Sequence, residues 1–247
     1  MTDYDNLSIC YDDFTTDVDY AARGKYLLSL FNRFGKKPKL MLDLACGTGN
    51  FSYIFKKMGI EVIGVDRSEG MLSAAIEKNH TGDDNPLFLN QSAENLDLFG
   101  TVDGAVCLLD SLNHITDEST LNKAISRVSL FLEKDCLFIF DLNTLYKHKT
   151  VLGNNCFMRE NKESVCIWQS RYHKGGVVNI TADIFTTFDK KNYKRFKESF
   201  SEKAYNHSCI EKLLLNNSLE IAAVYDDMSY NPPNEKSERI IYVARKV

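Results

Sequence analysis

The sequence contains no run of about 18 apolar residues, so no helix of it is expected to span a bilayer. No basic stretch followed by an apolar h-region opens the chain. Both absences lead us to expect a cytoplasmic protein without a membrane partner. The seven cysteines, at positions 10, 46, 107, 136, 156, 166 and 209, include no C-x-x-C pair and no zinc-type spacing. Such an odd, scattered set reads as reduced thiols, not as disulfides or a metal centre. There is no excess of positive charge either: 30 Lys and Arg stand against 34 Asp and Glu, a net charge of −4. That balance argues against nucleic acid as partner, because its binders usually show a basic face. Repeats, low-complexity tracts and linkers are also missing. With 247 residues and 44% hydrophobic composition the chain can bury a sizeable core. We expect one domain over residues 1–247, with an N-terminal flap and helix at 1–37 and an insertion at 151–206.

What is present is concentrated in Lys39-Leu-Met-Leu-Asp-Leu-Ala-Cys-Gly-Thr-Gly-Asn-Phe-Ser52. Leu40, Met41, Leu42 and Leu44 form a near-continuous apolar run, as in a strand buried on both faces of a parallel sheet. Gly47 and Gly49 then turn the chain. Without Cβ atoms they accept positive φ and a close ligand, and the helix that follows offers free N–H groups to an anion. A dinucleotide loop would need a third glycine for helix–strand packing; that position is Ser52. Asp43, at the strand end, would repel a pyrophosphate and attract an ammonium. S-adenosylmethionine combines a carboxylate with an ammonium. A second β-rich run, Glu61-Val-Ile-Gly-Val-Asp66, ends in an acid that can accept both ribose hydroxyls.

Together, Leu42-Asp-Leu-Ala-Cys-Gly-Thr-Gly49 and Val62-Ile-Gly-Val-Asp-Arg-Ser-Glu-Gly-Met-Leu72 resemble the class I S-adenosylmethionine-dependent methyltransferases. The likeness is to small bacterial members with an N-terminal Tyr-Asp…Tyr segment and a C-terminal Ser-Glu-Arg-Ile strand, and runs from about Tyr11 to the C-terminus. It implies an α/β fold: a Rossmann-like seven-stranded, mostly parallel sheet with helices on both faces. It also implies S-adenosylmethionine as cofactor and S-adenosylhomocysteine as product. By this resemblance the cofactor contacts are Tyr11, Tyr20, Asp43, Ala45, Cys46, Gly47, Thr48, Gly49, Asp66, Arg67, Met71, Ser92, Ala93 and Leu109. In the family the N-terminal region folds over the cofactor; Tyr11 and Tyr20 match its aromatic positions, and Arg23 stands where Trp is common. Met71 would pack on the adenine, and Gln91-Ser-Ala-Glu94 would hold its edge.

Taken in order, residues 1–16, with Tyr4, Tyr11 and Phe14, lack a helical period and read as a flap. Asp17 is the expected N-cap of a helix ending near Gly35. Ser68 caps a later helix, and Thr81–Pro86 is a polar loop before a third strand at Leu87–Asn90. Strands at Asp103–Leu109 and Cys136–Asp141 flank a helix capped by Thr116 or Asp117. From Asn155 to Tyr205 the period changes: Val178, Ile180, Ala182, Ile184 and Phe188 alternate with Val177, Asn179, Thr181, Asp183 and Thr187, a two-residue repeat. Turns at Lys174–Gly176 and Asp189–Asn192 bound that strand, so we expect an inserted antiparallel β lid over the acceptor. Ser208-Cys-Ile-Glu211 reads as a capping box. Leu219–Tyr225 and Glu238–Ala244 should close the sheet, with Asn231-Pro-Pro-Asn234 as a turn between them.

Methyl transfer from a sulfonium is an in-line displacement in which the enzyme chiefly aligns reactants, and a base is needed only if the acceptor must lose a proton. Asp110, His114 and Glu198 are the catalytic candidates. Asp110 and His114 follow the fourth strand, where ligands of open α/β sheets lie. Glu198 and Glu202 share a strand face with Phe196 and Phe200, a costly register unless the acids are paired or functional. Family members often show Glu-x-His-x-Gln here; this chain has Glu198, Phe200 and Glu202. Trp168 and Tyr172 would wall the acceptor or pack beneath the lid, and Arg239 would bind an acidic acceptor or form a salt bridge. The Asn/Asp-Pro-Pro-aromatic motif of nucleic-acid amino methyltransferases is missing after the fourth strand. We therefore expect a small-molecule methyl acceptor, with RNA or protein, or a non-catalytic protein of this fold, as alternatives.

Overall fold

The computed structural model describes residues 8, 11–78, 85–161, 163–187, 189 and 191–247. Tyr4, Cys10, Phe188 and positions 81–84 of the expected loop lie outside the described residues. In chain order the elements are α1 (Tyr11–Phe14), α2 (Tyr20–Arg33), β1 (Leu40–Leu44), α3 (Asn50–Lys57), β2 (Glu61–Asp66), α4 (Glu69–Glu77), β3 (Leu87–Asn90), β4 (Val102–Cys107), α5 (Glu118–Phe131) and β5 (Leu132–Asn143). There follow β6 (Cys156–Glu160), β7 (Ser164–His173), β8 (Val177–Thr186), β9 (Lys194–Lys203), α6 (His207–Leu215), β10 (Leu219–Asp226) and β11 (Arg239–Lys246).

Alternation along the strands decides which helices they meet. Leu42 and Leu44 of β1, Phe138 and Phe140 of β5, and Tyr242 and Ala244 of β11 pack with Leu121, Ile125 and Val128 of α5 and Ile210, Leu213 and Leu214 of α6. On the opposite face Met41, Leu137, Ile139, Ile241 and Val243 meet Tyr26, Leu27, Leu30 and Phe31 of α2 and Phe51 and Phe55 of α3. Strands apolar on both faces need helices on both. The sheet order is β10-β11-β5-β4-β1-β2-β3, with β11 antiparallel to both neighbours and the remaining pairings parallel. Strand order reverses between β1 and β4, which opens the ligand crevice at their carboxyl ends.

The second sheet is the meander β6-β7-β8-β9. Val178 and Ile180 pack with Leu152, Phe157, Trp168, Tyr172 and Phe200, while Cys166, Ala182 and Ile184 pack with Phe14 and Phe196. Fully buried Asn113 joins the two sheets. Its Oδ1 accepts from Asn143 N at 2.9 Å, and its Nδ2 donates to Asn143 O at 3.2 Å and to Lys203 O at 2.9 Å.

Three local expectations need correction. Asp19, not Asp17, caps α2, because its carboxylate accepts from Ala22 N at 2.8 Å; Asp17 instead pairs with Arg159. Asn206 replaces Ser208 as the cap of α6 and accepts from Cys209 N at 2.8 Å, while Ser208 Oγ donates to it. Within the expected flap, Tyr11–Phe14 is a helical turn. Asp117 caps α5, as one of the two alternatives had it.

Asn113→Ala would leave a buried N–H and two carbonyls without their partners. Leaving such groups unpaired costs about 1–3 kcal/mol each before relaxation. Urea unfolding of the variant should show a loss of about 2–4 kcal/mol; a change below about 0.5 kcal/mol would mean the sheets are not joined here.

Candidate active site

The loop after β1 takes its shape from neighbouring backbone. Cys46 N donates to Val65 O and Gly49 N to Cys46 O, both at 3.0 Å. Gly49 has φ +73°, and a Cβ there would lie 2.8 Å from Phe88 and 3.1 Å from Ala75. Close packing by itself requires glycine there, and Gly49 lines neither the cavity nor the smaller pocket beside it. Gly47, at φ +54°, differs: a Cβ there would meet nothing within 4 Å, and the residue lines the cavity. Ser52, where a dinucleotide loop has glycine, is fully buried and donates to Asp43 Oδ2 at 2.6 Å. Burial pushes the Asp43 carboxyl up to about 7, against the Ser52 hydrogen bond and with help from the charge of Asp66. Asp66 accepts from Gly47 N at 2.8 Å and Ser68 N at 2.9 Å, and burial raises its carboxyl as well.

Residues 11–17 run as a strap across the cleft. Asp12 accepts from Thr48 Oγ1 at 2.7 Å and Asn50 Nδ2 at 2.9 Å and pairs with Lys78 at 2.6 Å. Burial raises the Asp12 carboxyl, but the donors from Lys78, Thr48 and Asn50 outweigh it and hold it below its usual value. At the other end Arg159 of β6 pairs with Asp17 at 2.8 Å and donates to Phe14 O. That ion pair is exposed and worth little; the buried ring of Phe14 against the second sheet is the stronger tie. Tyr20 donates to Thr15 Oγ1 at 3.0 Å and sets its ring edge-on to Phe51, with centroids 5.0 Å apart. Arg23 is held in a bidentate pair with Asp227 at 2.6 and 2.8 Å and lines neither the main cavity nor the smaller pocket.

After β4 two successive residues, Leu109 and Asp110, adopt left-handed backbone (φ 54° and 56°). The fully buried Asp141 carboxylate holds them there, accepting from Leu109 N at 2.8 Å and Asp110 N at 2.6 Å. Arg239 bridges Asp141 and Asp110 at 2.5 Å each. Burial lowers its guanidinium, but the two carboxylates more than reverse this. Of the two roles expected for Arg239, the structure shows the salt bridge.

A cavity of about 410 Å³ lies between the loop after β1 and the second sheet. Ala45, Gly47, Asp66, Arg67, Met71, Ala93 and Leu109 line its sheet end, and Tyr11 and Phe14 line it from the strap. Trp168, Phe157 and Phe200 form the far wall. Tyr20, Asp43, Cys46 and Thr48 border a smaller adjoining pocket. Burial, with Asp43 and Asp66 nearby, pushes the Cys46 thiol well up and favours its neutral form. Ser92 lines neither space: its Oγ accepts from Asn95 at 2.9 Å, and Gln91, Ala93 and Glu94 face the cavity instead.

Asp110 and His114 line the cavity; Glu198 does not, although it is buried. Along β9 the cavity reaches Phe200 and Glu202, on the strand face that the two-residue repeat marks. Glu202 Oε1 lies 3.9 Å from His114 Nε2, and Oε2 lies 3.2 Å from both His148 Nε2 and Asn143 Nδ2. His148 is fully buried, with Nδ1 2.9 Å from Gly176 O. Its contact with Glu202 is close enough for charge but off the angle of a good hydrogen bond. Burial would raise the Glu202 carboxyl, yet His148, the charge of His114 and the Asn143 amide hold it down at about 2. Asp110, His114 and Glu202 offer ligand atoms within 4.8 Å of one another. Arg239 pairs with Asp110 of this cluster, and His148 lies against Glu202. No sequence signal marked His148, which sits in a π-helical turn (Lys147–Leu152) and gains its partners from 28 and 54 residues away.

Among the described residues no helix is long and apolar enough to cross a membrane. Residues 41–135 match the family model described as a methyltransferase domain. A solved S-adenosylmethionine-dependent methyltransferase from Clostridium acetobutylicum is 32% identical, with TM-score 0.88 and 98% of each chain covered. Putative methyltransferases of Geobacillus sp. and Bacillus subtilis are 27% and 28% identical over 98% of this chain, and over 99% and 97% of their own lengths.

Because the Glu202 carboxyl is depressed from 4.5 to about 2, its contribution to stability is complete above about pH 5 and lost as pH falls toward 2. The wild type should lose on the order of 2 kcal/mol more than Glu202→Gln over that interval, measured by urea unfolding at stepped pH. Parallel curves for the two proteins would contradict the pairing.

Proposed function

The chain belongs to the S-adenosylmethionine-dependent methyltransferases, and from that premise we propose that it methylates a small molecule held between the loop after β1 and the second sheet. One observation carries this reading: the cavity of about 410 Å³ is roofed by the strap and walled by Phe157, Trp168 and Phe200. That volume is in the range of small-ligand pockets, and the net charge of −4 offers nothing special to a polyanion.

The residues present fit the cofactor. Gly47 turns an open face to the cavity, Asp66 keeps lone pairs for hydroxyls, and buried Met71 supplies an apolar surface for a base. Asp43, its carboxyl near 7, gains its charge fully when an ammonium approaches. Bound S-adenosylmethionine supplies an electrophilic methyl group on a sulfonium that departs as a neutral thioether. The chain has the remaining work. Tyr11, Phe14 and the second sheet, acting as a lid, exclude water and align the acceptor, for which roughly 7–11 kcal/mol of barrier lowering is available. Of the N-terminal flap and helix, residues 11–17 serve as the flap over the cavity and α2 packs on the sheet. His114 takes the acceptor proton, and Asp110 and Glu202 face the charge it gains. Glu198, outside the cavity lining, has no part in that transfer. Free thiols at Cys46, Cys107, Cys136, Cys156, Cys166 and Cys209 fit the expected cytoplasmic setting.

Incubating the enzyme with methyl-labelled S-adenosylmethionine and a size-fractionated cell extract tests the reading. Label should enter the low-molecular-weight fraction, and label confined to RNA or protein would overturn it. With the labelled acceptor in hand, His114→Ala should slow transfer 10²–10⁴-fold while S-adenosylhomocysteine affinity stays within about threefold.

A further inference from the structure

The inner end of the cavity gathers hydrogen-bond acceptors around one base. Asp110, His114 and Glu202 all line it, and a carboxylate oxygen of each acid and a ring nitrogen of His114 lie within 4.8 Å of one another. Arg239 holds Asp110 by Oδ1 at 2.5 Å, while Asn143 and His148 hold Glu202 by Oε2 at 3.2 Å each. The second oxygen of each acid is left to the cavity and to His114, whose Nε2 is 3.9 Å from Glu202 Oε1. Burial raises the Glu202 carboxyl, but His148, His114 and Asn143 hold it at about 2, so it is charged at neutral pH. Three acids, Asp110, Asp141 and Glu202, stand here against two fixed cations, Arg239 and Lys147. This end of the cavity therefore has room for a further positive charge.

What those acids do to a transfer depends on the charge that the acceptor gains. A hydroxyl, thiol or carboxylic acid that yields its proton meets the sulfonium as a developing anion, which two adjacent carboxylates repel. An amine behaves in the opposite way. Its nitrogen, neutral once His114 has taken a proton, becomes positive as the methyl group arrives. Fixed negative groups aimed at that developing charge stabilise the transition state more than the reactants. A primary ammonium also carries three N–H donors, as many as the acceptor atoms that meet here. Phe200, its ring 5.2 Å from that of His114, and Phe157 and Trp168 give the rest of the molecule an apolar wall.

We propose that the acceptor is a primary or secondary amine on an apolar body, bound as its ammonium ion between Asp110 and Glu202 and methylated on nitrogen. This rests on the small-molecule reading above and names the class within it. One N–H proton passes to His114, which frees the nitrogen lone pair. An N–CH₃ bond then forms as the S–CH₃ bond breaks, with the electron pair of the broken bond left on sulfur. The products are an N-methylammonium ion and S-adenosylhomocysteine, and the proton on His114 returns to solvent. Asp110 and Glu202 select the acceptor by charge, and His114 makes its nitrogen nucleophilic.

Two measurements test the class. Label passed from methyl-labelled S-adenosylmethionine into the low-molecular-weight fraction of a cell extract is located by tandem mass spectrometry. It should sit on nitrogen, in a product that a cation exchanger retains at neutral pH. Separately, protein saturated with S-adenosylhomocysteine is titrated calorimetrically with 2-phenylethylamine, 2-phenylethanol and 3-phenylpropionate, which share a body and differ in charge. The amine should bind about tenfold more tightly than the alcohol, or better, as a hydrogen bond to a charged group allows, and the carboxylate most weakly. Glu202→Gln should remove most of that preference, with affinity for the alcohol and for S-adenosylhomocysteine within about threefold; the latter certifies the fold of the variant. Asp110→Asn should act in the same direction and decides the matter if Glu202→Gln does not fold. Label on oxygen, sulfur or carbon, an amine that binds no better than the alcohol or the carboxylate, or a preference that survives the substitutions overturns the acceptor class while leaving the small-molecule reading in place. Label found only in macromolecules would defeat the small-molecule reading itself.

Discussion

Where parallel strands end, the chain must leave the sheet, and the backbone N–H groups of each departing loop lose their ladder partners. Buried carboxylates meet that need here. Asp66 at the end of β2 takes the N–H groups of Gly47 and Ser68, and Asp141 on β5 takes those of Leu109 and Asp110. The second case is the more demanding, because two successive non-glycine residues are held left-handed, at a cost of order 1–3 kcal/mol each. Asp141 can hold them only because Arg239 offsets its charge. The same arginine fixes Asp110, so one buried triad sets both the loop and the carboxylate that faces His114.

Distant parts of the chain complete the site around that edge. The strap is joined to the loop after β1 through Asp12 and to the second sheet through Phe14. Asn113 links that sheet back to β5 and β9, which places Glu202 opposite His114. The cavity wall thus comes from segments that no local pattern connects. Its polar end is shaped by pairing more than by exposure, since Glu202 and His148 are both buried and serve each other.

Legibility in the sequence followed the range of the interactions. Glycines, an apolar strand and a strand-terminal acid are local features, and they marked the loop after β1 and Asp66 without reference to the rest of the fold. Strand alternation likewise marked the meander, and its inward face was read correctly. What local patterning could not supply was where along β9 the cavity begins: of the two candidate acids on that face, Glu202 lines the cavity and Glu198 does not. Ser92 likewise lies outside the cavity lining, its hydroxyl accepting from Asn95. The helix caps were missed by two residues because several Asp, Asn and Ser side chains compete near each start, and only the backbone path chooses between them. Ser52 was read only as a missing glycine, whereas its buried hydroxyl is the partner of Asp43.

The most direct test of the account is calorimetric titration of the protein with S-adenosylmethionine, S-adenosylhomocysteine and NAD, beside an Asp66→Ala variant. The two adenosyl ligands should bind one per chain, NAD should not, and the substitution should weaken binding tenfold or more, as expected for hydrogen bonds to a charged group worth about 1.5–3 kcal/mol. Binding of NAD, or adenosyl affinity indifferent to Asp66, would contradict the assignment of this loop as the methyl-donor site.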